Sequence, residues 1–128
     1  MSAEPCADLA RQRRILVVDD DPFTRNLARR VLRASGHHVD MVGSGALAVA
    51  AVRAGAYDLV LMDFRMPGMD GLAATRAIRA LPSAAAQVRI VLFSADHEPK
   101  AASDEVDGFL SKPFTLASLR KTVGEPVG

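Results

Sequence analysis

The stretch Ile15-Leu16-Val17-Val18-Asp19-Asp20-Asp21-Pro22 decides the fold, because it changes character twice within a few residues. Four consecutive apolar side chains leave no polar face, as a strand covered on both sides requires. Acids then end the run, and Asp21-Pro22 opens a helix: aspartate accepts from the first free amides, and proline fits the first helical position because it has no N–H to leave unpaired. A buried strand passing through acids into a helix is the first half of a βαβ unit.

Working outward, the same alternation repeats. Apolar runs at 14–18, 38–42, 58–62, 88–93 and 108–111 read as strands, and helical patterns lie between them, which predicts a parallel sheet. The runs at 15–18, 59–62 and 90–93 are nearly continuous and suit central strands, whereas His38-Val39-Asp40-Met41-Val42 alternates and suits an edge. The first helix is expected to bury Phe23, Leu27, Val31 and Leu32 and to end at Gly36, leaving Arg25, Arg29 and Arg33 as a solvated row. Ser44 caps a second helix, Gly45 to Ala54, closed by Gly55. Asp70-Gly71 begins a third that runs to about Leu81, and Thr115 caps a last one to about Val123. Between Ser94 and Gly108 only a short helix after Glu98-Pro99 fits, with Asp104 and Glu105 set against its dipole. Residues 1–13 show no periodicity and read as a flexible extension, 14–124 as one domain, and 125–128 as a tail.

Composition narrows the function classes. A chain of 128 residues, 49% hydrophobic and 24% charged, is an ordinary globular domain. A net charge of +1, no Trp and one Tyr argue against direct nucleic-acid binding. The lone Cys6 permits no internal disulfide, the start Met1-Ser2-Ala3-Glu4-Pro5 lacks the apolar core of a signal peptide, and no apolar run approaches the ~18 residues of a membrane span. A cytoplasmic location is the expectation. His37, His38 and His97 share no metal-ligand spacing; the first two read as surface residues and His97 as an exposed loop residue near the strand edge.

Chemistry concentrates where the runs stop. Asp19-Asp20 follow the first, Asp63 the third and Lys112 the fifth. On parallel strands of one sheet these meet at the carboxyl edge, where open α/β sheets bind ligands. Three carboxylates with one ammonium are costly together unless a divalent cation and an anionic group share the place. Singly, Asp20 reads as a helix cap, Lys112 as a surface lysine, and Ser94 and Phe109 as edges of the core. Their joint placement carries the functional reading.

Val17-Val18-Asp19-Asp20-Asp21-Pro22, Met62-Asp63-Phe64-Arg65-Met66-Pro67-Gly68-Met69-Asp70-Gly71, Leu92-Phe93-Ser94-Ala95 and Leu110-Ser111-Lys112-Pro113-Phe114 together resemble the receiver domain of two-component response regulators, from about Arg14 to Val123. The resemblance implies a flavodoxin-like doubly wound (βα)5 fold with sheet order 2-1-3-4-5. It implies a phosphorelay switch in which Asp63 accepts a phosphoryl group from the phosphohistidine of a sensor kinase or phosphotransfer protein and changes the binding of a downstream protein. Asp19, Asp20, Asp63 and the backbone carbonyl of Arg65 are the implied Mg²⁺ ligands. Lys112, before an expected cis Pro113, pairs with the phosphoryl oxygens. Ser94 and Phe109 are the implied switch, with small Ala95 keeping the path between them open. Such a domain is not an enzyme acting on a separate substrate, though it is expected to lose its own phosphoryl group. Arg65 and Asp96 match positions that tune that loss, and the first-helix arginines match the kinase-docking face of relatives.

One departure stands out. Ser94 and Lys112 are 112 − 94 = 18 positions apart, about one helical turn (~4 residues) fewer than relatives use. The fourth helix is therefore expected to be shortened, and no dimer is expected through the surface it shares with the fifth strand. Two other readings compete. Asp19-Asp20-Asp21 contains the D-x-D spacing of haloacid-dehalogenase-type phosphatases, although Pro22-Phe23 and the short chain suit them poorly. A receiver-like interaction module that is never phosphorylated is the third.

Overall fold

In a computed structural model the described residues are 12–94, 105–112 and 114–123. Five parallel strands form one sheet in the order β2-β1-β3-β4-β5. They are β1 (Arg14–Val18), β2 (His38–Val42), β3 (Leu59–Asp63), β4 (Arg89–Ser94) and β5 (Gly108–Ser111). Four α-helices are seen among the described residues: α1 (Pro22–Ala34), α2 (Gly45–Ala54), α3 (Gly71–Arg79) and α4 (Leu116–Thr122), with a 3-10 turn at Ala84–Gln87. The expected fold, strand order and helix caps are met. The short helix expected after Glu98-Pro99, like Ala95, Asp96, His97 and Pro113, falls outside the described residues.

The two-sided core explains the continuous apolar runs. Alternate residues of β1 enter opposite layers: Leu16 and Val18 pack with Ala48 and Val52 of α2 and Ala74 and Ile78 of α3, whereas Ile15 and Val17 pack with Ala28 and Leu32 of α1 and Leu119 of α4. Each buried Val, Leu or Ile contributes about 1.5–3 kcal/mol, so any register slip in β1 would expose or misplace a full row of side chains.

Local chemistry sets the helix ends. The Asp21 carboxylate accepts from the Phe23 and Thr24 amides, Ser44 caps α2 through the Leu47 amide, Asp70 caps α3 through the Ala73 amide, and Thr115 and Ser118 form a reciprocal capping box on α4. At the other end of α4, Arg13 and Arg89 donate to the carbonyls of Val123 and Thr122 at 3.3 and 2.9 Å, meeting its orphan acceptors with positive charge.

Two expectations need correction. Phe23 is 74% and Leu27 40% exposed, so they do not line the buried face of α1. Leu32 is buried as expected, and its neighbour on the inward line is Ala28, not Leu27. Both pairs have the same i, i+4 spacing, so the apolar pattern alone does not phase the helix. His37 is also buried rather than at the surface: its Nδ1 accepts the Arg13 amide at 3.0 Å, and its own amide reaches the Leu32 carbonyl at 3.2 Å, just past Gly36 at φ +95°. The ring is held inward because it answers a backbone donor at the start of the sheet.

The last turn of α3 ties down the approach to β5. Arg79 donates through Nη1 to the carbonyls of Ala86 and Val88 at 2.8 and 2.6 Å, and through Nη2 to Asp107 at 3.1 Å. The same Asp107 oxygen accepts the Ile90 amide at 2.8 Å. One turn earlier Arg76 forms a bidentate pair with Glu105. We expect Arg79→Met to lower unfolding free energy by about 2 kcal/mol, since hydrogen bonds from a charged donor are worth ~1.5–3 kcal/mol. Urea melts will check this, and a loss below about 0.5 kcal/mol, the scale of ordinary surface changes, would show Arg79 to be a surface arginine.

Candidate functional site

Sheet register assembles the acids. Val18 pairs with Met62 across β1 and β3, so the next residues, Asp19 and Asp63, lie abreast at the carboxyl edge. Asp63 in turn pairs with Phe93, and Ser94 with Ser111, which brings Lys112 to the same edge. The Lys112 amide donates to the Ser94 carbonyl at 2.9 Å, extending that ladder by one residue.

Lys112 Nζ stands 3.1 Å from Asp19 Oδ2 and 3.1 Å from Asp63 Oδ1. Asp19 is completely buried and Asp63 nearly so, while Asp20 is exposed. Carboxylate oxygens of Asp19, Asp20 and Asp63 lie within 4.8 Å of one another. One ammonium among three carboxylates leaves the cluster negative. Hard oxygen donors open to water on the Asp20 side are what a small divalent cation such as Mg²⁺ prefers.

Burial, and after it the neighbouring Asp19, raise the Asp63 pKa to about 6 against the opposing pull of the Lys112 ammonium and the Arg65 amide. Burial presses the Lys112 pKa down, but its bonds to Asp19 and Asp63 win and hold it above its ordinary value. Folding thus favours the protonated form of Asp63 relative to the unfolded chain. Between the ordinary 3.8 and about 6 the folded state holds a proton that the unfolded state has released. Stability from this group therefore falls as pH rises through that window and is flat above it. Without divalent cations, we expect the stability difference between the unaltered protein and Asp63→Asn to widen from pH 4 to 6 and then level off. Urea melts across that range, in EDTA, give the result; a difference independent of pH would contradict it.

Residues outside the acid cluster hold its parts in place. The Lys112 ammonium lies 4.9 Å from the centre of the Phe93 ring, which packs edge-on against Phe114 at 6.2 Å. Phe93 is thus a support for Lys112 that its place in an apolar run gave no reason to single out. Gly71 is the second support. A Cβ there would collide with the Asp63 carbonyl, so only glycine lets α3 start directly against the end of β3, and its amide donates to the Phe64 carbonyl at 2.8 Å. The Asp70-Gly71 pair marks that helix start in the sequence, but not the close approach.

The other expected site residues are close at hand. Ser94 is buried at the end of β4, and Phe109 is half-buried against the α2–α3 layer. Arg65 follows β3, its guanidinium 5.8 Å from the Phe64 ring centre. Asp96, the other position expected to tune phosphoryl loss, lies outside the described residues. Asp21 is spent on the α1 cap and on the Thr24 hydroxyl at 2.7 Å, which holds its carboxyl below the ordinary value. It does not complete a D-x-D pair.

The sequence profile of the response regulator receiver domain matches residues 15–124. The chain belongs to that family. Among relatives, this receiver is 37% identical to the sensor protein GacS of Pseudomonas syringae, over 89% of the receiver and 13% of that protein. It is 38% identical to the transcriptional regulatory protein TcrA of Mycobacterium tuberculosis, over 83% of the receiver and 42% of TcrA. The receiver thus spans less than half the length of each of these relatives. Among solved structures, the chemotaxis protein CheY4 of Vibrio cholerae superposes with a TM-score of 0.80 at 25% identity, covering 88% of the receiver and 96% of CheY4. The receiver domain of the sensor histidine kinase PA1611 of Pseudomonas aeruginosa, with magnesium in its active-site cleft, superposes at 0.78 with 32% identity, covering 88% and 94%. No helix among the described residues is long and apolar enough to cross a membrane.

Proposed function

We propose that this receiver is a phosphoacceptor switch whose nucleophile is Asp63. The convergence of Asp19 and Asp63 on the single Lys112 ammonium, with Asp20 alongside, carries the reading. The Asp63 carboxylate attacks the phosphorus of a phosphohistidine. A P–O bond forms, the N–P bond breaks, and the imidazole nitrogen leaves with that electron pair. Lys112 follows the charge: it bridges two carboxylates beforehand and faces the phosphoryl oxygens afterwards. Asp19, Asp20, Asp63 and the Arg65 carbonyl would hold Mg²⁺, which when bound offsets the negative charge of nucleophile and phosphoryl group. The Ser94 hydroxyl donates a hydrogen bond to the phosphoryl group, and Phe109 turns with it, converting charge into shape on the β5 side. Slow hydrolysis of the acyl phosphate resets the switch, at a rate tuned at Arg65.

The donor is a histidine kinase or histidine phosphotransfer protein, and exposed Phe23 and Leu27 beside Arg30 on α1 suit its docking. The output is a change in affinity for a downstream protein, without direct contact with nucleic acid or membrane. The relatives' names and the magnesium in the PA1611 receiver support this reading. We take residues 14–124 as the working unit, acting in the cytoplasm. Incubation with acetyl phosphate and Mg²⁺ is expected to add about 80 Da, one phosphoryl group, by intact mass, and EDTA is expected to prevent it. No adduct under conditions that label a known receiver would favour a binding module that is never phosphorylated.

A further inference from the structure

Arg25 belongs to the arginine row that the sequence pattern placed in solvent, yet it turns inward. Its Nη1 donates to the Asp19 backbone carbonyl at 2.9 Å. Gly43, directly after β2, leaves the space the guanidinium fills: a Cβ at residue 43 would lie 2.7 Å from Arg25 Nη1 and 4.0 Å from the Asp19 carbonyl oxygen. Asp19 is held from two more sides, by its amide on the Val42 carbonyl at 3.2 Å and by the Asp21 amide on its Oδ1 at 2.8 Å.

The carbonyl that Arg25 grips belongs to the peptide joining Asp19 to Asp20. Fixing that peptide plane sets where the exposed Asp20 carboxylate starts from. We propose that Arg25 is a positioning residue that aims the Asp19–Asp20 pair at a divalent cation, and that Gly43 is glycine to admit it. The inference rests on the metal-binding reading above. Charge alone argues the other way, because a guanidinium at this corner repels a cation. The sign of the effect therefore separates positioning from simple electrostatics.

The test is calorimetric titration of EDTA-stripped protein with Mg²⁺ and with Ca²⁺. Arg25→Met is expected to weaken Mg²⁺ binding roughly 10-fold, the lower end of what loss of a group orienting a metal ligand costs. Ca²⁺ should lose clearly less, since it tolerates irregular geometry and Mg²⁺ does not. Arg25→Lys keeps a donor and should recover part of the loss. Gly43→Ala should weaken Mg²⁺ binding in the unaltered background but have almost no effect on Arg25→Met, where the colliding guanidinium is gone. Unchanged or tighter Mg²⁺ binding in Arg25→Met, or an equal effect of Gly43→Ala in both backgrounds, would overturn the role of Arg25 while leaving the metal site standing. Absence of Mg²⁺ binding by the unaltered protein would overturn the metal reading and this inference with it. Far-UV circular dichroism of each variant confirms that it is folded.

Discussion

Asp63→Asn is expected to abolish labelling by acetyl phosphate and to make the metal-free protein more stable at pH 7–8. Both effects come from one charge. An amide oxygen is a far poorer nucleophile than a carboxylate, so the mass gain of about 80 Da should disappear. The stability gain follows because burial and the neighbouring Asp19 disfavour the Asp63 anion, raising its pKa from 3.8 to about 6. Each pKa unit corresponds to about 1.4 kcal/mol. That shift already contains the opposing Lys112 attraction, and because water on the Asp20 side screens the crowding of acids, the expected net gain is about 1–2 kcal/mol. Intact-mass spectrometry and urea melts in EDTA will check the two effects. Retained labelling at the original rate would place the nucleophile elsewhere. A less stable variant would mean that the Lys112 bond outweighs the crowding of acids.

Lys112→Met is expected to be the most destabilising change at the site. Asp19 is wholly buried and Lys112 is its cationic partner at 3.1 Å, shared with Asp63. Removing one member of a buried ion pair typically costs ~3–5 kcal/mol, because the other charge stays behind undersolvated. Lys112 keeps some contact with water, so we expect a loss of about 2–3 kcal/mol in the absence of divalent ions. Two outcomes identify the cause as uncompensated charge rather than lost packing. Saturating Mg²⁺ should stabilise Lys112→Met by more than it stabilises the unaltered protein, because the cation then supplies the positive charge that was removed. The double variant Asp63→Asn/Lys112→Met should also be more stable than Lys112→Met alone, with strong non-additivity between the two positions. Simple addition of the single effects, or no response to Mg²⁺, would contradict this account.

Much of this molecule was legible before any coordinates. The run Ile15–Val18 is apolar at every position, and only a strand covered on both faces needs that, so the parallel sheet followed. The caps at Asp21, Ser44, Asp70 and Thr115 could be read because capping is a local exchange between a side chain and amides two or three residues away. The acids and Lys112 at strand ends could be placed because a parallel sheet brings every carboxyl end to one edge.

What could not be read has one physical origin. The phase of α1 depends on which i, i+4 apolar pair meets the sheet, and only packing sets Ala28 beside Leu32 and leaves Phe23 and Leu27 outside. His37 is inside because a backbone amide of Arg13, far away in the sequence, needs an acceptor there. Arg25 reaches the Asp19 carbonyl through space that Gly43, just past the end of β2, leaves open. Phe93 supports Lys112, and Gly71 meets Asp63, through contacts that exist only once β4, β5 and α3 have converged. Periodicity and near-neighbour hydrogen bonds were enough to specify the sheet, its caps and the quartet of Asp19, Asp20, Asp63 and Lys112. Which side chains brace that quartet was decided by the tertiary structure, since bracing depends on distances between elements that no local pattern encodes.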